Sequence, residues 1–326
     1  MPEFLEFPVS PLEVRAESAL ADLLRSMAKI SFQGRNLATA LEIWEEMLRR
    51  ETTIFLGLAG AMVPAGMRKV VSYLIEKRLT DCLVSTGANL FHDCYETLGY
   101  LHFQGAPWAD DLELKEKGID RVYDTYAREE DFRKTDRFIV DFVSTLDTSK
   151  SYTTREFLNL LGIELSLKGK EDGILTSCSK ANIPVYCPAI ADSSIGIALA
   201  YAREKSGVEV TFDLVSDVLE TAKLVAESSS TGVVYVGGGT PKNFIQQTEV
   251  TASVIGWSAK GHEYAVQIVT EPPHWGGLSG ATLEEAQSWG KIAEGAKKVT
   301  VFCDATIALP ILVTALAQRG LDRAKR

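Results

Sequence analysis

The sequence predicts a doubly wound α/β fold on a mostly parallel sheet, preceded by a helical N-terminal segment. Three observations carry that expectation. Apolar runs of strand length recur with little polar interruption, such as Gly232-Val233-Val234-Tyr235-Val236, which is the pattern of strands buried on both faces. Stretches of helical period separate them. The runs end in turns of small residues, Thr86-Gly87-Ala88 and Gly237-Gly238-Gly239-Thr240-Pro241, at the strand ends where such sheets bind ligands.

Taken in order, residues 1–50 form the helical segment. Ala19, Leu20, Leu23, Leu24 and Met27 recur at helical spacing, as do Leu37, Ala38, Leu41, Trp44 and Leu48. Residues 51–326 then read as one α/β domain. Thr53 to Leu58 is a buried strand, Gly60 to Gly66 a small-residue turn, and Met67 to Lys77 a helix with Pro64 near its start, where no N–H is needed. Asp81 to Ser85 is the next strand. Residues from about 103 to 150 are charged and irregular, and read as an excursion from the sheet. The alternation resumes with a helix over Tyr152 to Leu167, for which Thr153-Thr154-Arg155-Glu156 offers cap residues. Strands are expected at Pro184 to Ile190, Val208 to Leu214, Gly232 to Val236, Glu263 to Val269 and Lys298 to Asp304, making about seven in all.

Composition narrows the function. Apolar residues make up 46% and charged residues 24%, enough for a self-sufficient core. A net charge of −10 argues against nucleic acid, which needs a basic surface, and suits a cationic ligand. Five cysteines without a CxxC pair read as reduced, buried thiols, and no metal site is expected. No apolar run approaches the ~18 residues of a membrane span. Met1-Pro2-Glu3-Phe4-Leu5-Glu6 lacks the pattern of a signal peptide, so a cytoplasmic protein without membrane contact is expected.

The chemistry is expected in Ser279 to Ile292. Thr282 followed by Glu285 is a capping-box pattern, and Ala286, Trp289, Ala293 and Ala296 share a stripe, so a helix should run through this stretch. Lys291 falls opposite that stripe. It is either a solvated surface lysine or, if the helix distorts near Gly290 or another subunit covers it, an inward one. The strand-end turns, with Asp192 and Asp304 beside them, together suggest a nucleotide crevice, although a packing turn explains the glycines and an N-cap explains Asp304 equally well.

The motifs Ser288-Trp289-Gly290-Lys291 within Ser279 to Ile292, Gly237-Gly238-Gly239 with Lys242, Cys187-Pro188-Ala189, Asp304-Ala305 and Thr53 to Gly57 with Gly66 resemble the deoxyhypusine synthase family. Their order and spacing match from about residue 30 to residue 315. The resemblance implies a Rossmann-like fold and an NAD-dependent transferase. Such an enzyme oxidises spermidine, holds an aminobutyl group as an imine on a lysine, and passes it to an acceptor amine. Lys291 would be that lysine, and imine formation calls for burial or a neighbouring cation to keep its amine neutral part of the time. Trp289 would wall the polyamine and attract its charge, and Glu285 would pair with an ammonium. NAD would fall to Gly60, Ala61, Met62, Val63, Pro64, Thr86, Gly87, Ala88, Asp192, Gly238, Thr270, Asp304 and Ala305. The family also implies a homotetramer with sites at a dimer interface, and a translation factor as protein acceptor.

The chain departs from the family at Ile197 and Leu278, where acids are usual, at Asn243, where a histidine is usual, and at Phe91-His92, where a glutamate pair is usual. Glu271 and His274 lie where they could partly replace the missing groups, with His274 a candidate proton shuttle. Four alternatives stay open: transfer to a small amine such as putrescine, a different amine donor, a plain NAD-binding dehydrogenase, and a non-catalytic nucleotide-binding member.

Overall fold

The computed structural model describes residues 6–323. The chain divides into two compact units. One comprises the chain up to Gly57, Lys77–Thr80 and everything from Ala222 onward; the other comprises Leu58–Glu76 and Asp81–Thr221. The fold is α/β with a parallel sheet, as the apolar strand runs required.

In the first unit the strand order is Ile292–Phe302, His262–Val269, Ser230–Val236, Thr52–Leu58. The three strands latest in sequence run parallel, with Val236 beside Ile268 and Val269 beside Phe302. Their C-terminal ends therefore finish at one edge of the unit. Helices Phe32–Arg49, Gly239–Ile255 and Ala305–Gln318 cover the strands, and Leu20–Met27 packs on the first and last of these helices. Trp44 is fully buried, and its indole N–H donates to the Leu79 carbonyl at 3.4 Å.

In the second unit Cys82–Ser85 pairs in parallel with Val185–Tyr186, among helices Arg68–Glu76, Gly87–Thr97, Thr154–Lys168 and Ile174–Ala181. A buried ion cluster ties three of these elements. Asp93 Oδ1 accepts from Arg68 Nε at 2.8 Å, and the two carboxylate oxygens accept the Ile174 and Leu175 N–H groups at 2.8 Å each. Arg68 also reaches Thr97 Oγ1 at 2.6 Å.

Three expectations are corrected. Val208 to Leu214 does not add to the central sheet; only Thr211–Phe212 is extended, paired with Ser151–Tyr152. Its charged surroundings suit a surface pair, not a buried strand. The excursion at 103–150 is ordered: Phe103–Gln104, Thr125–Arg128 and Ile119–Val122 form a three-stranded antiparallel sheet, followed by helix Glu129–Val143. Short, half-exposed strands carry little apolar signal, which hid them. The third correction concerns the helix of residues 282–296. It spans only Glu285–Ser288, and strand Ile292–Phe302 takes the rest.

Among the described residues no helix is long and apolar enough to cross a membrane, and no group of three or more His, Cys, Asp or Glu side chains could hold a metal. All five cysteines are free.

Candidate functional site

The register of the first unit gathers Gly238, Thr270, Asp304 and Ala305 at one strand edge. The Gly237 N–H donates to Ile268 O at 2.8 Å and the Cys303 N–H to Val269 O at 3.1 Å, which fixes the three turns side by side. Helix Gly239–Ile255 starts there without a side-chain cap, so no cap side chain satisfies its first N–H groups. The glycine at 238 has a packing reason: a Cβ there would lie 2.1 Å from the Ser279 carbonyl oxygen. Asp304 caps helix Ala305–Gln318 through Oδ1, which accepts the Thr306 N–H at 2.7 Å and the Thr306 hydroxyl at 2.6 Å. Neither bond engages Oδ2.

In the second unit the Gly60–Pro64 turn and Thr86–Ala88 are stitched together. The Thr86 N–H donates to Leu58 O at 3.1 Å and its hydroxyl to Gly60 O at 3.2 Å. Asn89, which the sequence reading passed over, is fully buried; its Oδ1 accepts the Met62 N–H at 2.8 Å and the Val63 N–H at 3.2 Å. Helix Gly87–Thr97 likewise lacks a side-chain cap. Gly87 is tightly packed, since a Cβ would meet Ser193 at 2.5 Å, which brings the exposed Asp192 turn against this helix start. Each unit thus offers a helix start that no side chain caps, at Gly239 in the first unit, where Asp304 Oδ2 is also unengaged, and at Gly87 in the second.

Lys291 is not the surface lysine of a regular helix. The capping box begins as read, with Glu285 N–H donating to Thr282 Oγ1 at 2.9 Å and Thr282 N–H to Glu285 Oε2 at 3.3 Å. The helix stops after one turn because Gly290 adopts φ +69°, a conformation favouring glycine. The Lys291 N–H then returns to Ala286 O at 3.0 Å, and the residue is only 8% exposed. Its Nζ lies 5.2 Å from the ring centroid of Trp289, itself 64% exposed.

Lys242, one turn into the helix after the glycine turn, was missed as a site residue despite standing in the quoted motif. It is 2% exposed. Its Nζ donates to Gln267 Oε1 at 2.9 Å and to the Ala281 carbonyl. Burial brings its ammonium down to about 8; Glu285 and Glu284 oppose that and the Lys291 charge adds to it. Lys242, Gln267, Glu271 and Glu284 line a cavity of about 280 Å³ floored by Gly280 and Ala281. Glu284 is a second missed residue. Glu271 is steered by the Ser279 hydroxyl, which donates to it at 2.6 Å. Asn243 and His274 are exposed and do not line this cavity; His274 stacks edge-on with Trp275 at 5.5 Å. Leu278 and Ile197 are exposed, and Phe91 is buried. A larger cavity of about 610 Å³, lined by Phe103, Tyr126 and Arg128 among others, contains none of the expected site residues.

Fold and site together define an α/β protein with small-residue turns at its strand ends and two buried lysines, one of which, Lys242, lines a carboxylate-bearing cavity. The chain belongs to the deoxyhypusine synthase family, whose model matches residues 22–316. It is 51% identical over 321 residues to the Methanosarcina acetivorans protein named "Probable deoxyhypusine synthase 2", covering 98% of this chain and 92% of that one. It is 36% identical over 314 residues to a "Deoxyhypusine synthase-like protein" of Chlorobaculum parvum, covering 95% and 89%. The fold matches an Entamoeba histolytica crystal structure bearing the deoxyhypusine synthase name with a TM-score of 0.62 at 20% identity, over 92% and 93% of the two chains.

Proposed function

We propose that the protein is an NAD-dependent transferase that moves an aminobutyl-type group from a spermidine-like polyamine, through an imine on Lys291, to an acceptor amine. The observation that carries this reading is the inward turn at Gly290, which buries Lys291 against Trp289. A buried lysine next to a second cationic side chain, Lys242, is a setting that suits a Schiff-base lysine.

The rest of the site follows from charge. Glu271 and Glu284, which line the cavity, and Glu285, whose charge acts on Lys242, pair with substrate ammonium groups and offset the acids absent at Ile197, Leu278 and Phe91-His92. The Trp289 face holds a cationic chain against Lys291. His274 and Asn243, both exposed, serve as secondary contacts to the polyamine. Gly60–Pro64, Thr86–Ala88, Asp192, Gly238, Thr270 and Asp304-Ala305 hold the dinucleotide, with Asp304 Oδ2 accepting from a ribose hydroxyl. NAD, when bound, supplies hydride acceptance and return. Family membership supports a homotetramer with its sites at a dimer interface. The acceptor is either a lysine of a translation factor or a small amine such as putrescine.

Incubating the protein with NAD and spermidine, reducing with borohydride and locating added mass tests the reading. The expected result is an aminobutyl adduct on Lys291 that disappears in Lys291→Ala. A protein that binds NAD yet traps no di- or polyamine overturns it. Adding putrescine or the translation factor before reduction then identifies the acceptor by which one drains the adduct.

A further inference from the structure

Gln267 stands between two partners of opposite kind. It lies in strand His262–Val269, paired with Tyr235 on one side and Thr300 on the other, and is 3% exposed. Its Oε1 accepts from Lys242 Nζ at 2.9 Å, and its Nε2 donates to the Gly237 carbonyl at 3.0 Å. An ammonium only donates and a carbonyl only accepts, so these neighbours fix which end of the amide faces which. An ionised carboxylate could not serve both. It would accept from Lys242 but set a second lone pair against Gly237.

Lys242 is held by neutral acceptors alone. Its hydrogen bonds go to the Gln267 amide and the Ala281 carbonyl, which leaves its third ammonium N–H without an acceptor among the described residues. The charged and titratable groups around it are Glu284, Glu285 and Lys291 on the segment after Ala281, Glu271 in the cavity wall, and the Tyr235 phenol of the neighbouring strand. None of these carboxylates comes within ion-pair distance. Glu285 and Glu284 act through space to favour the ammonium, and the Lys291 charge disfavours it. That repulsion is mutual, and an uncharged holder leaves it uncancelled. Gly237, Lys242, Gln267 and Lys291 all belong to the first unit.

We propose that Gln267 is a positioning residue of the transfer reaction, which pins the Lys242 ammonium without neutralising it and ties that charge to the glycine turn. This inference rests on the transferase reading above. Gln267 acts through Lys242 and touches no reacting atom. A cation kept at that place favours a neutral amine on the lysine that forms the imine. Through Nε2 the same side chain steadies the turn assigned above to the dinucleotide. The amide is the one group that gives both holds and adds no charge.

The test uses the full-length protein with ¹⁵N-labelled lysine, the Lys242 signal being assigned with Lys242→Met. In the wild type the Lys242 ammonium should titrate at about 8. Gln267→Glu should raise that midpoint by about one unit, because a carboxylate replaces the amide oxygen. Gln267→Met should lower it by about one unit, because an acceptor is lost. Midpoints equal to wild type in both variants overturn the proposal. Kinetically, Gln267→Glu should slow trapping on Lys291 about tenfold while lowering KM for spermidine, since it adds a negative charge to the cavity. Gln267→Met, which adds none, should slow trapping without lowering KM. Slower trapping with a raised KM in both variants marks a merely structural glutamine and overturns the proposal. Wild-type rate and KM in Gln267→Glu overturn it while leaving the transferase intact. Absence of trapping in the wild type overturns the transferase, and the Lys242 midpoints then decide whether Gln267 holds the ammonium.

Discussion

Lys291 Nζ sits over the ring of Trp289, 5.2 Å from its centroid, although one residue separates them. Residues two apart on a regular helix do not face one another. Gly290 at φ +69° makes the meeting possible.

Replacing that glycine should therefore separate strain from contact. A Cβ at Gly290 meets no atom within 4 Å, so Gly290→Ala suffers only the backbone penalty of about 1–2 kcal/mol. Gly290→Asn, which tolerates this conformation better, should lose less. Melting temperature and the rate of Lys291 trapping should fall together in the order Gly, Asn, Ala. An alanine variant indistinguishable from wild type would refute the turn's role.

Lys242 gives a pH signature. Its ammonium falls from 10.5 to about 8 on folding. Between those values the unfolded chain holds more protons than the folded one, so wild-type stability rises with pH there. The difference of about 2.5 units corresponds to roughly 3 kcal/mol. Denaturant titrations of wild type and Lys242→Met from pH 7 to 10.5 should show wild type gaining on the variant by that order. A flat difference would show that Lys242 is not desolvated.

Asp93→Asn should be among the most damaging isosteric changes. Asp93 neutralises Arg68 and accepts two backbone N–H groups while fully buried. Removing the charge leaves Arg68 with Glu171 and the more distant Glu96. A loss of about 3–5 kcal/mol in chemical denaturation is expected.

Gly238→Ala tests the packing account of the glycine turn. Its Cβ would press on the Ser279 carbonyl, so the Ser279–Ala281 backbone must retreat and loosen the Lys242 bond to Ala281. A loss of about 1–3 kcal/mol in thermal or denaturant unfolding is expected, with weaker trapping at Lys291. Wild-type stability with weaker NAD binding would instead mean that the glycine serves the ligand alone.

Local signals were legible in the sequence and long-range ones were not. Thr153 and Glu156 announced helix Thr154–Lys168, and both capping-box bonds are present. Thr282 and Glu285 likewise announced a helix start. Its end was misread because Ala293 and Ala296 fit the helical stripe by coincidence. Pairing with His262–Val269 overrides that periodicity and makes the stretch a strand. The fold class was legible because buried strands write apolar runs directly into the chain. Glu284 and the Lys242–Ala281 bond, 39 residues apart, depend on how loops meet.

The division into two units has a consequence for how the chain can be cut or made. The backbone passes between them at 57/58, 76/77, 80/81 and 221/222, so one unit is assembled from three stretches of sequence. Neither terminal truncation can release that unit whole. During synthesis the strand Thr52–Leu58 leaves the ribosome long before its neighbour Ser230–Val236 exists. The middle of the protein can thus complete its contacts while its beginning still waits for its end, and the strand that follows Lys291 is the last of the sheet to be made.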